Sequence, residues 1–412
     1  MFHYVHGRLF CEGVDLEDIA RVAGTPSYVY SAQTILDAWR AYDSAFGDMP
    51  HLVCYAVKAN SSLGVLSLLA RAGCGFDIVS GGELFRVLKA GGDPSRVVFS
   101  GVGKTAGEIE FALRSGICNF NCESEAELGE IDAIAQRLGL IARFALRVNP
   151  DVDAVTHPYI STGLRDHKFG IDIEEAPAIY HRAKAFRNLR ATGVDCHIGS
   201  QILDYSSILE AAGKVLALVE ALRADGLEID HVDLGGGLGI AYEPEHVAPA
   251  IREFVGAVRS RIGNAGLTVM MEPGRSIVGQ AGVLLTRVLY RKKTASKEFV
   301  VVDAAMNDLI RPMLYGAHHK IAPFRDGIKD TIVADVVGPI CETGDFLARD
   351  RELPAVSPGD YLSVASAGAY GFVQASNYNS RPRGPEILVE GDRWRVIRER
   401  ESYEDLIRGE TL

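Results

Sequence analysis

The segment Leu52-Val53-Cys54-Tyr55-Ala56-Val57-Lys58-Ala59-Asn60 closes an apolar, strand-prone run on the motif YAVKAN. One lysine therefore stands at the mouth of what reads as a buried strand. Burial against an apolar wall penalises an ammonium ion, and the free amine is the species that attacks an aldehyde to form a Schiff base. Pyridoxal phosphate is the obvious aldehyde. A lysine alone at a strand end has a simpler meaning, an amine snorkelling to the surface, so the choice depends on the rest of the chain.

Outward from Lys58, similar runs lie near residues 75–80, 97–101, 118–122, 143–149, 191–199, 231–235 and 268–274, separated by longer stretches of helical periodicity. With the run near 51–59 they make eight. The motifs YAVKAN, GFDIVS, VFSGVG, FNCES, LRVNP, CHIGSQ, DLGGG and MMEPGR each turn from apolar residues to glycine, hydroxyl or charged residues at the strand end. In a (β/α)8 barrel those ends share the face that carries the active site. Ile208 to Gly226 places apolar residues at three- and four-residue spacing and ends in glycine, the pattern of an amphipathic helix with its cap.

After about residue 275 the periodicity shortens, in GVLLTRVLYRKK, EFVVVDAA, TIVADVVGPI, DYLSVASAGAY and EILVEGDRWRVIRE, with turns at Pro358-Gly359-Asp360 and Glu390-Gly391-Asp392. The expected fold is therefore α/β plus all-β. A TIM-like barrel spans residues 28–274, and a second β-sandwich or barrel-like domain combines residues 1–27 and 275–412. A length of 412 residues suits two domains. Formal charge of −11 without a basic block speaks against nucleic acid. No apolar run reaches the length of a membrane span, and Met1 to Arg8 carries no signal-peptide pattern. Seven scattered cysteines without a C-x-x-C pair fit reduced thiols in the cytoplasm and imply neither zinc nor disulfides.

Several of the strand ends carry candidate chemistry. Gly235-Gly236-Gly237 would let backbone N–H groups approach a phosphate, or simply make a tight turn, and the helical pattern beyond it is interrupted by Pro244. Glu272, in Glu272-Pro273-Gly274-Arg275, could pair with a pyridine nitrogen and keep it protonated, which suits decarboxylation better than racemisation. An ion pair with Arg275 is the plainer alternative. His197 could lie flat on an aromatic ring with Ser200 donating to phosphate, while Asp77 and Arg147 could be interior ion partners or part of the network round the cofactor. Arg311, Tyr315, Cys341, Glu342 and Tyr370 lie in the later segment, none diagnostic singly.

Taken in order, YAVKAN, GFDIVSGGEL, VFSGVGKT, RVNPDVDAVTHPYISTGLRDHKFGI, HIGSQI, DLGGGLGI, EPGRSIV, DAAMNDLIRPMLY, CETGD and SNYNSRPR resemble the fold-type III pyridoxal-phosphate decarboxylases, and within them the diaminopimelate decarboxylases. The resemblance runs from about residue 25 to residue 390. It implies a catalytic set of Lys58, His197 and Cys341, with Lys58 as the Schiff-base lysine and His197 stacked on the ring. Glu272 would meet the pyridine nitrogen. Ser200, Gly235, Gly236, Gly237, Gly274 and Tyr370 would hold the phosphate, with Asp77, Arg147 and Arg275 around the cofactor. It further implies that Arg275, Arg311 and Tyr315 serve the substrate's distal carboxylate and Glu342 its distal ammonium, with Tyr370 also among the substrate-binding residues. Cys341 and Glu342 would come from the other subunit of a homodimer, and no metal is implied. A diamino diacid asks for such a set, because its remote centre bears both charges, whereas the amine-only end of ornithine or lysine would call for acids and no arginine clamp. The readings set against this one are a sister decarboxylase of another amino acid or polyamine precursor, a racemase, and a non-catalytic cofactor-binding protein.

Overall fold

The computed structural model describes residues 1–152, 168–243 and 245–412. Pro244 and residues 153–167 of the long RVNPDVDAV motif lie outside the described residues. The chain divides into two compact units, one of residues 38–240 and 247–276, the other of residues 1–37, 241–246 and 277–412.

In the first unit all eight expected runs are strands: His51–Ala56, Gly75–Ile78, Val97–Phe99, Asn119–Cys122, Ala142–Asn149, Leu189–Cys196, His231–Asp233 and Thr268–Met271. Each pairs in parallel with the next, and the last pairs with the first, so the barrel closes. Their apolar side chains explain the geometry, because a parallel strand covered on both faces has no solvent side on which to alternate. Ile208, Ala211, Ala212, Val215, Leu218, Val219 and Leu222 form the buried face of the helix Ser206–Ala224.

Three of the helices start by the same local device. Ser80, Thr105 and Ser124 accept from the N–H of Glu83, Glu108 and Glu127, three residues on. The glutamates reach back in turn, to the N–H of Val79, Thr105 and Glu123. Thr105 and Glu108 thereby form the full capping box S/T-x-x-E, while Glu83 and Glu127 reach one residue further back, to the N–H before the N-cap. These caps fix the short links that leave the second, third and fourth strands.

The second unit is antiparallel for the most part. Gly282–Lys293 is its central strand: the first part pairs with Ser27–Ser31 and Tyr361–Val364, the latter part with Glu298–Val302. Thr331–Val337 and Phe346–Pro354 extend the sheet on one side, Glu386–Glu390 and Arg393–Arg398 on the other. Gly391 and Asp392 make the two-residue turn of that last hairpin, with Gly391 at φ +67°. The N-terminal residues form a small sheet of Phe2–Val5, Arg8–Cys11 and Val14–Asp15. Leu9, Cys11, Leu16 and Ile19 pack with Val29, Val283, Leu285, Ile387 and Val389 in one core. Ser27–Ser31 is buried throughout between two neighbours, which is why this unit begins with residues 1–37 rather than ending its first segment at residue 27.

Candidate active site

Lys58 lies two residues past the end of the first barrel strand, in the single helical turn Val57–Ala59. Its Nζ donates to Asp77 Oδ2 at 2.6 Å, and Asp77 is fully buried in the second strand. The amine is thus held as half of an ion pair, not against the apolar wall inferred from YAVKAN. Gly274 makes this turn possible from the other side. A Cβ there would stand 3.0 Å from Ala59 Cβ and 3.1 Å from Ala56 Cβ.

Within the barrel, Asp195, Asp233 and Glu272 bring carboxylate oxygens within 4.8 Å of one another, all buried. Glu272 Oε1 accepts from Ser100 Oγ and Asn121 Nδ2, each at 3.2 Å. Burial, then the charges of Asp233 and Asp77, push the Glu272 carboxyl well above the ordinary carboxylate range, against the opposing pull of Lys58 and Arg147. Burial likewise raises Asp195, with Glu272 adding to the shift, and Asp233, with Asp195 adding to it. Among the described residues Asp77 Oδ1, Asp195 Oδ1 and Asp233 Oδ2 have no hydrogen-bond partner. Burial and mutual repulsion therefore favour the protonated form within this cluster, because adjacent buried carboxylates do not all ionise together.

His197 follows the sixth strand, half-buried, with Nδ1 accepting from the Gly236 N–H at 3.2 Å. Burial, then the nearby charges of Arg147 and Lys58, hold its imidazole well below the usual histidine range, so the ring is neutral and carries its proton on Nε2. Arg147 donates to Glu123 Oε1 at 2.8 Å and lies over the Phe169 ring. Although burial opposes it, the charges of Glu123, Asp195 and Glu272 keep this guanidinium firmly protonated. Arg275 Nη2 donates to Ser200 Oγ at 3.0 Å, so those two expected site residues meet.

The glycine loop reads differently in three dimensions. A Cβ on Gly235 would lie 2.7 Å from Cys196 O, one on Gly236 2.2 Å from Glu272 O, and one on Gly237 2.6 Å from Gly199 O. Gly235 and Gly236 already donate to Asp233 Oδ1 and His197 Nδ1. These glycines are required by the close approach of the sixth- and eighth-strand ends, whatever else the loop binds.

In the second unit Arg311 opens the short helix Arg311–Tyr315, which stops at Gly316, φ +61°. Arg311 is buried, its guanidinium 4.6 Å from the centre of the Tyr242 ring. Tyr315 Oη lies 3.5 Å from Gln374 Nε2. Cys341 and Glu342 are exposed on the chain, with the Cys341 N–H donated to Asn379 Oδ1 and Glu342 Oε2 receiving Tyr378 Oη–H at 2.8 Å. Tyr370 sits at φ +56°, a conformation few aromatic residues adopt, and such strain is common at ligand sites.

Sequence reasoning missed Ser100, Asn121, Glu123, Asp195 and Asp233 in the barrel and Tyr378 outside it. An acid inside an apolar strand, as in GVDC and HVDL, was the available signal. Glu83 was also missed. Burial raises its carboxyl to about 7, and it lies within electrostatic range of both Asp77 and Lys58.

The residues present suit a pyridoxal cofactor on their own chemistry. An amine at the rim, a neutral ring-shaped histidine, and a buried carboxyl holding a proton for a basic nitrogen are the donors such a group requires. Comparison with known proteins agrees. Residues 32–279 match the family model described as pyridoxal-dependent decarboxylase, pyridoxal binding domain. The diaminopimelate decarboxylase of Pseudomonas aeruginosa is 55% identical over 411 residues, covering 100% of this chain and 99% of its own. That of Vibrio cholerae is 52% identical over 97% of this chain and 96% of its own. Among solved structures, diaminopimelate decarboxylase from Helicobacter pylori complexed with L-lysine is similar with a TM-score of 0.92 and 46% identity, over 95% of this chain and 98% of its own. The M. jannaschii enzyme gives 0.95 and 38%, over 100% and 98%.

Proposed function

From the premise that this chain belongs to the diaminopimelate decarboxylases, within the pyridoxal-dependent decarboxylases, we propose the roles of its residues in converting meso-2,6-diaminopimelate to L-lysine and CO2. The observation that carries the proposal is one barrel holding Lys58, ion-paired with Asp77, together with a buried Glu272 oriented by Ser100 and Asn121, its carboxyl pushed upward by burial. Pyridoxal phosphate, when bound, supplies an aldehyde for amines and a protonated ring that accepts the electron pair left by departing CO2.

Lys58 contributes the amine, and Asp77 fixes where its nitrogen stands. Glu272 holds a proton at the position assigned to the pyridine nitrogen, with Ser100 and Asn121 orienting the carboxyl. His197 offers a neutral ring face, its orientation fixed by the Gly236 N–H. Ser200, Gly235, Gly236, Gly237, Gly274 and Tyr370 are assigned to the phosphate, and Arg147 and Arg275 to the surrounding charge balance. The carbon that loses CO2 must gain one proton, and Lys58 and Cys341 are assigned to deliver it.

For the substrate's remote centre, we assign its carboxylate to Arg275, Arg311 and Tyr315 and its ammonium to Glu342, with Tyr370 also facing the substrate. Exposure of Cys341 and Glu342 on the single chain supports their service in the other site of a homodimer. Nucleic acid has no place in this reading, given the acidic balance. No helix among the described residues is long and apolar enough to cross a membrane. Seven free cysteines support a reducing, cytoplasmic setting.

Borohydride reduction of the pyridoxal-phosphate-loaded protein followed by peptide mapping tests the assignment of Lys58. Label on the Lys58 peptide is expected, and label on another lysine overturns it.

A further inference from the structure

We propose that His319 is a positioning residue that fixes Arg311 as the receptor for the substrate's distal carboxylate, an inference that rests on the role given to Arg311 above. His319 is fully buried, and Arg311 nearly so. Its Nε2 lies 2.9 Å from Arg311 Nη1, and its Nδ1 lies 2.8 Å from Ala365 O. A guanidinium only donates and a carbonyl only accepts. His319 must therefore accept at Nε2 and donate from Nδ1, which a single neutral tautomer does. Protonation at Nε2 would set an N–H against an N–H.

The ring of Tyr242 completes the arrangement. It meets His319 edge-on, with centroids 5.4 Å apart at 75°, and presents its face to Arg311. Tyr242 is itself tied down, because His318 Nδ1 lies 3.0 Å from its carbonyl oxygen. Arg351 Nη1, on the strand Phe346–Pro354, donates to the His319 carbonyl at 2.9 Å and fixes the backbone of the histidine. Arg311 is thus held by a hydrogen bond at one nitrogen and by an aromatic face.

The choice of an imidazole has a chemical reason. A carboxylate in the same place would orient Arg311 equally well but would neutralise it and compete with the incoming carboxylate. A neutral acceptor orients the guanidinium without itself cancelling its charge. Fixing the fork beforehand also reduces the rotamer entropy lost on binding.

Calorimetric titration of the loaded enzyme with L-lysine, which keeps the distal carboxylate, and with 1,5-diaminopentane, which lacks it, tests the proposal. His319→Leu should weaken L-lysine about 10-fold, the scale of a hydrogen bond to a charged group, and leave 1,5-diaminopentane unmoved. KM for meso-diaminopimelate should rise by a similar factor with little change in kcat. His319→Gln, whose amide oxygen can accept, should recover most of the affinity and guards against a leucine variant that does not fold. Equal weakening of both ligands, or no weakening of either in a variant set where Arg311→Ala does weaken L-lysine, would overturn the positioning role. If Arg311→Ala leaves L-lysine binding unchanged, the assignment of Arg311 itself fails.

Discussion

Glu272→Gln should act in opposite senses on the cofactor-free protein and on the loaded enzyme. The carboxyl is 5% exposed, and Oε1 accepts two hydrogen bonds that a glutamine amide oxygen can also accept. Burial, with Asp233 and Asp77, raises its pKa in the fold above the ordinary 4.5. Between those two values the folded protein keeps a proton that the unfolded chain releases. Stability is therefore lost as pH rises through the window, by up to about 1.4 kcal/mol per pH unit for this one proton. Glutamine has no proton to lose. Thermal unfolding of the cofactor-free proteins from about pH 5 to about pH 8 should show the variant gaining on the wild type as pH rises. The loaded variant should lose about 10²-fold in kcat, the scale of removing one electrostatic stabiliser from a transition state. Parallel melting curves would refute proton storage at Glu272, and undiminished turnover would refute its role toward the ring nitrogen.

Lys58→Ala should abolish the borohydride-trappable adduct and cut turnover by several orders of magnitude, read by mass spectrometry and lysine release. Gly236→Ala sets a Cβ 2.2 Å from Glu272 O and should destabilise the protein by about 1–3 kcal/mol. Gly107→Ala, with nothing within 4 Å and a helical backbone, should be neutral or stabilising in the same melting assay. Glu342→Ala should lose most substrate affinity. Equal mixing of inactive Lys58→Ala and Glu342→Ala subunits should restore about a quarter of wild-type activity, because about half the dimers are mixed and each has one intact site. No recovery under confirmed subunit exchange would confine Glu342 to its own chain's site or outside it.

The barrel was legible because most of its strands are largely apolar runs ending in polar residues, a pattern that parallel strands produce without strict alternation; Asn119–Cys122 (NFNC) and His231–Asp233 (HVD) depart from it. Phe346–Pro354 was not, since FLARDRELP carries four charges in nine residues and has a mostly exposed middle. Ser27–Ser31 was passed over because five residues next to a helical pattern give too little periodicity. Lys58 was found from its position, but its surroundings were misjudged: the compensating charge, Asp77, is on a neighbouring strand and invisible in local composition. Asp195 and Asp233 were missed for a related reason. Their significance lies in proximity across the barrel to Glu272, and sequence separation hides it. Tyr378 was quoted within SNYNSRPR yet given no role, because its hydroxyl finds Glu342 through the fold.

The central claim is the reaction itself. Wild-type protein loaded with pyridoxal phosphate and given meso-diaminopimelate should release CO2 and L-lysine in equal amounts, with L-ornithine and L-lysine decarboxylated far more slowly. Failure to form L-lysine, or faster loss of CO2 from either amine-ended amino acid, would contradict the account.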